Sequence, residues 1–140
     1  MHRNLKSFGA LVATLTLIAG TSIIFSAWAD EFTKKDQERW QQEFMTVVKK
    51  GDELFHSPKL GKNKVSCDQC HPNGANTHPE TYPKFQRQIG KVVTLFEMVN
   101  WCIRNPLEGE SLAAEDPKMV ALLSYITYER RGVPLDPGKH

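Results

Sequence analysis

Cys67-Asp68-Gln69-Cys70-His71 sets two thiols three positions apart, with an imidazole directly after the second. That C-x-x-C-H spacing suits c-type haem attachment. The thiols bond covalently to the vinyl groups of the porphyrin, and the histidine supplies an axial nitrogen to iron. Two other chemistries share the C-x-x-C core. A redox dithiol sits at a helix start near a β-α-β pattern, and no such pattern is present. A zinc site needs a second Cys or His pair at short spacing, and only His78 and Cys102 are offered. The residues therefore favour one covalent haem c on Cys67 and Cys70, with His71 on the metal.

The amino terminus reads as a secretory signal. Met1 to Lys6 is short and basic, Phe8 to Phe25 is uncharged and mostly apolar, and Ala27-Trp28-Ala29 forms an A-x-A cleavage site. The apolar run approaches the length of a bilayer span, but Thr14, Thr16, Gly20, Thr21 and Ser22 dilute it. We expect a signal peptide at 1–29, a working domain at 30–140, a periplasmic location and no stable membrane span after cleavage. The whole chain of 140 residues has a net charge of +2. Arg3 and Lys6 stand in the signal without an acid, so the remainder is balanced. That excludes a nucleic-acid footprint, and the length excludes a large multidomain enzyme. There is no phosphate loop and no serine-type triad.

The elements that must position the motif read as helices. From Lys35 to His56, the residues Trp40, Phe44, Val47, Val48, Leu54 and Phe55 follow helical spacing, with Gly51 as a kink or a break. Ser57 to Ser66 is a polar loop, and Pro72 to Pro83 is irregular. Leu95, Met98, Val99 and Cys102 repeat at i, i+3, i+4 and i+7, predicting a helix from about Ile89 to Arg104 that Asn105-Pro106 stops. A last helix starts at Asp116-Pro117, carries Met119, Val120, Leu123, Ile126 and Thr127 on one side, and closes at Arg130-Arg131-Gly132. No β alternation stands out. The fold class is all-α.

This order of elements, ending in Val120-Ala121-Leu122-Leu123-Ser124-Tyr125-Ile126, resembles a class I-type cytochrome c domain with helices around one covalently bound haem. The resemblance implies that the first and last helices cross, with Phe44, Val47 and Val48 against Leu122, Leu123 and Ile126. It also implies a methionine ligand from a loop before the last helix, and Asn105 to Asp116 contains none. Four residues compete for the sixth position. Met119 is in the first turn of a helix, where methionine usually fills core. His78 is only seven residues beyond His71. Met98 and Cys102 share one helical face, where either could reach iron or simply pack. Cys102 is also a third cysteine, left over in an oxidising compartment after haem attachment uses two.

The stretch Glu97-Met98-Val99-Asn100-Trp101-Cys102-Ile103-Arg104 is similar to segments of sulfur-oxidising cytochromes. These include the A subunit of the sulfur-oxidation cytochrome complex and the thiosulfate dehydrogenases. By that resemblance Cys102 is the sixth ligand, paired with His71. A thioether ligand favours ferrous iron and raises the potential. A thiolate stabilises the ferric state and is itself a reactive sulfur.

Three functions fit. The first is an electron-transfer cytochrome of low potential, alone or as a subunit of a larger redox complex with a second cytochrome, and not itself an enzyme. The second is an enzyme subunit that oxidises thiosulfate or a related compound at Cys102, which needs a partner to remove electrons. The third is a haem protein whose sixth ligand yields to a small gas. Lys59, Lys62 and Lys64 form either a docking patch or a solvated loop, and the bland reading is favoured. Trp40, Trp101, Tyr125 and Tyr128 read as core or haem-pocket packing. Tyr82-Pro83 reads as pocket wall, and Pro72 as a brace for the imidazole.

Overall fold

The computed structural model describes residues 32–134, and the expected signal segment lies outside the described residues. Three helices dominate: α1 (Lys34–Phe55), α2 (Leu95–Arg104) and α3 (Pro117–Glu129). Each starts on a side-chain cap that satisfies amides the helix leaves free. Thr33 and Asp36 cap each other reciprocally ahead of α1, and Thr94 and Glu97 do the same for α2. Asp116 accepts from the Lys118 amide ahead of α3, with Pro117 at the first position. No described helix is long and apolar enough to cross a membrane.

The first and last helices pack together as expected. Val48 and Phe55 of α1 join Met119, Leu122, Tyr125 and Ile126 of α3 and Ile103 of α2 in one buried core, with Leu123 packed at its margin. Phe44 departs from the expectation: it stays 42% exposed, its ring 6.1 Å from Tyr128. Gly51 neither breaks nor kinks α1. It lies where the helices touch, and a Cβ there would stand 2.0 Å from the Ala121 carbonyl oxygen. Close backbone approach is the reason for glycine at this position.

The stretch preceding α2 is the main difference from the helix expected from Ile89. Residues 89–93 belong instead to an antiparallel hairpin of β1 (Lys84–Gln86) and β2 (Lys91–Val93), with Phe85 opposite Val92. Gly90 takes φ +77° in the turn, and the Thr94 cap starts the helix five residues after Ile89. Val93 is buried at 1% exposure while Phe85 and Val92 face outward, the alternation of a strand with one covered side. Four short 3-10 turns connect the rest: Pro58–Leu60, Cys67–Gln69, Pro72–Gly74 and Pro79–Thr81.

Candidate haem-binding site

The C-x-x-C-H motif is wound into a tight turn. The amides of Cys70 and His71 both donate to the Cys67 carbonyl, at 3.2 and 3.0 Å. Pro72 then opens a second turn in which Asn73 and Gly74 take positive φ, and Gly74 donates back to the His71 carbonyl at 2.9 Å. This curl brings the Ala75 carbonyl oxygen 2.9 Å from His71 Nδ1. Nδ1–H donates to it, which fixes the ring and leaves Nε2 as the free nitrogen.

His71 lines a cavity of about 450 Å³, within the roughly 300–1,000 Å³ of a cofactor pocket. Cys67, Cys70 and Cys102 all lie on its wall, and so does Met98. Phe55, Leu95, Val99, Ile103, Leu107, Leu122 and Ile126 make the wall mainly apolar. The loop after α2 is tied to the segment before the motif: Leu107 accepts from the Lys62 amide at 3.0 Å, and Pro106 accepts from Asn63 Nδ2. Asn100 exchanges two hydrogen bonds of 2.9 Å with the Leu112 backbone, which braces α2 from behind.

No disulfide joins Cys67, Cys70 and Cys102. Burial pushes the Cys67 thiol up to about 12, and the neighbouring Cys102 and Asp68 add to the effect. Burial, then Cys70, pushes Cys102 up to about 11. Burial thus disfavours a bare thiolate at either sulfur, and a covalent bond or a metal cation at sulfur removes that penalty. Among the described residues no three His, Cys, Asp or Glu side chains converge on a single bare ion. The donors stand around a hollow instead, an arrangement that fits a ring carrying its own metal.

The structure separates the four candidates for the sixth position. Met98 and Cys102 reach the cavity wall and Met119 and His78 do not. Met119 is 0% exposed inside the core. His78 is buried in another cluster, its Nδ1 3.1 Å from Glu80 Oε1 and 3.5 Å from Arg130 Nη2. Trp101 and Tyr82 line the cavity, whereas Pro83 does not. Tyr125 is core; Trp40 is a correction, being 43% exposed against Phe32. Tyr128 packs beneath the Arg131 guanidinium, 3.5 Å from its ring centroid. Lys59, Lys62 and Lys64 are exposed. Sequence reasoning missed the polar wall of Lys84, Gln86 and Gln88. The alternation of the hairpin, had it been recognised, would have turned Lys84 and Gln86 to one side.

Helices packed over one apolar cavity, with a C-x-x-C-H turn and a third cysteine on its wall, define a cytochrome c domain. Residues 50–135 match the family model for the SoxA/TsdA cytochrome c domain, and the chain belongs to that family. It is 27% identical over 118 residues to a thiosulfate dehydrogenase of Psychrobacter arcticus, covering 75% of this chain and 35% of that protein. A thiosulfate dehydrogenase of Allochromatium vinosum is 27% identical over 90 residues, 56% of this chain and 33% of that protein. The L-cysteine S-thiosulfotransferase subunit SoxA of Rhodovulum sulfidophilum is 25% identical over 118 residues, 80% of this chain and 41% of that protein. The chain thus spans about a third to two fifths of these relatives. The fold is shared with the crystal structure of SoxXA from P. pantotrophus at a TM-score of 0.62 and 24% identity, over 73% of this chain and 40% of that one.

Proposed function

We propose that this chain is an exported, periplasmic c-type monohaem cytochrome that transfers electrons as a subunit of a larger redox complex. Cys67 and Cys70 would hold the haem through thioethers, and His71 and Cys102 would be the residues that ligate its iron. The reading is carried by one observation: these four side chains, from a turn and from α2, lie on the wall of one largely apolar cavity. When bound, the haem supplies a one-electron couple between ferric and ferrous iron. His71, held through Nδ1 by Ala75, presents Nε2 in a fixed orientation. Cys102 contributes a negative sulfur that favours the ferric state and lowers the potential. The apolar wall excludes water, so little solvent reorganises as charge changes.

Residues 1–29 serve as the signal that delivers the chain to the periplasm. A second cytochrome is the electron partner in this reading, and the name of the Rhodovulum sulfidophilum relative, a subunit, favours work within a larger complex. The names of the relatives also favour a second reading, oxidation of thiosulfate or a related sulfur compound at Cys102 with electrons leaving to a partner.

Low-temperature electron paramagnetic resonance of the ferric protein, beside Cys102→Ala, tests the ligand assignment. A narrow low-spin signal lost in the variant is expected. A broad signal that ignores the substitution would transfer the role to Met98 and remove the sulfur-oxidation reading with it.

A further inference from the structure

The hairpin brings a charge to the cavity that the electron-transfer reading does not use. Lys84 is the one Lys, Arg, Asp or Glu among the described residues that line the cavity. It shares the inner side of β1 with Gln86, two residues on, and Gln88 extends the same polar wall. Its Nζ lies 4.7 Å from the centroid of the Tyr82 ring, and no described carboxylate reaches it at salt-bridge distance. Burial lowers the pKa of this ammonium and the charge of Glu80 works against that.

Glu80 is already committed elsewhere. Its Oε1 is 3.1 Å from His78 Nδ1 and 3.9 Å from Arg130 Nη2. Arg130 and His78, not Lys84, make the close contacts to that carboxylate, so the Lys84 ammonium stands without a paired anion beside a largely apolar hollow. A charge in such a place is costly unless an anion accompanies it. Haem carries two carboxylate arms, and among the side chains that line this cavity Lys84 is the one ammonium that could pair with either of them.

We infer that Lys84 holds a carboxylate arm of the haem and so sets the orientation of the ring between His71 and Cys102. This rests on the haem reading above. Gln86 and Gln88 stand beside it as neutral donors for the same end of the ring.

The test uses the full chain matured with its haem, in the wild type and in Lys84→Leu, Lys84→Arg and Lys91→Gln. Lys91 is exposed and already paired with Glu97 at 3.1 Å, so it serves as the control. Covalent haem staining of the wild type checks the underlying reading separately: no stain there refutes haem attachment itself. Given a stain, resonance Raman spectra should show the carboxylate-arm bending band shifted in Lys84→Leu, restored toward wild type in Lys84→Arg and unmoved in Lys91→Gln. The midpoint potential should fall in Lys84→Leu alone, because a cation beside the ring favours the ferrous state. If Lys84→Leu does not accumulate, the wild-type band decides: it should shift on exchange into D2O, and an insensitive band overturns the contact. A band identical in Lys84→Leu and wild type also overturns it, even if the potential falls. So does an unchanged band with weakened sulfite or thiosulfate binding, which would give Lys84 to an incoming anion.

Discussion

The Ala75 carbonyl oxygen lies 2.9 Å from His71 Nδ1, and the three residues of curled backbone between them, Pro72 to Gly74, make that contact. Gly74, buried at φ +70°, is the residue that lets the chain curl. An alanine there pays about 1–2 kcal/mol for the left-handed conformation. Gly74→Ala should lower stability by roughly that amount and loosen the imidazole. Urea unfolding would show the first effect, and a broadened low-spin signal of the ferric protein the second.

Methionines 98 and 119 should separate cleanly. Met119→Ala removes a side chain from the core and should cost about 2–5 kcal/mol, with the iron spectrum unchanged. Met98→Leu keeps the volume of a residue on the cavity wall and should cost less than about 1.5 kcal/mol. With Cys102 on iron, its ferric spectrum should also match the wild type. Thermal melts and electron paramagnetic resonance on both variants check this.

Loss of haem attachment should unfold the domain. Without the ring, the apolar side chains around a hollow of about 450 Å³ lose the partner they pack against, and unfilled core space is destabilising. A small domain has only about 5–15 kcal/mol of stability to lose. Cys67→Ala combined with Cys70→Ala should therefore abolish the cooperative melt seen in the haem-loaded protein. Calorimetry of the exported variant would show it, and a sharp transition near the wild-type temperature would contradict it.

The cluster behind the hairpin makes acid stability depend on Glu80. Burial alone would push its carboxyl up, but its own backbone amide, His78 and Arg130 together hold it below the ordinary 4.5. A depressed folded value stabilises the protein above the unfolded value, and that contribution fades as pH falls through the folded one. The stability gap between wild type and Glu80→Gln should accordingly narrow as pH falls below the ordinary 4.5 and through the depressed folded value. Denaturant midpoints across that range measure it, and a constant gap would show that the carboxyl does not titrate this way.

Much of the site was legible because its chemistry is local. C-x-x-C-H is contiguous, and Asp116-Pro117 and Asn105-Pro106 punctuate helices by rules that need no tertiary contact. The start of α2 was less legible. Leu95, Met98, Val99 and Cys102 form a helical stripe that extrapolates backward without a boundary. Thr94 with Glu97 and Gly90 with Val92-Val93 mark that boundary only when read together, as a cap and a turn. Gly51 was misleading for a different reason. A glycine in a helix suggests weakness along the chain, whereas here its missing Cβ lets Ala121 of another helix approach.

By itself the sequence pointed to a C-x-x-C-H haem-attachment motif among helices, and it narrowed the candidates for a second iron ligand to Met98, Cys102, Met119 and His78. Periodicity places a residue on a helical face but leaves open what that face meets. Packing settled it: α1 against α3 buried Met119, a left-handed turn drew His78 to Glu80 and Arg130, and α2 brought Met98 and Cys102 to the cavity. Only the folded hairpin added Lys84 to that cavity, because the side a strand turns inward is decided by what covers it.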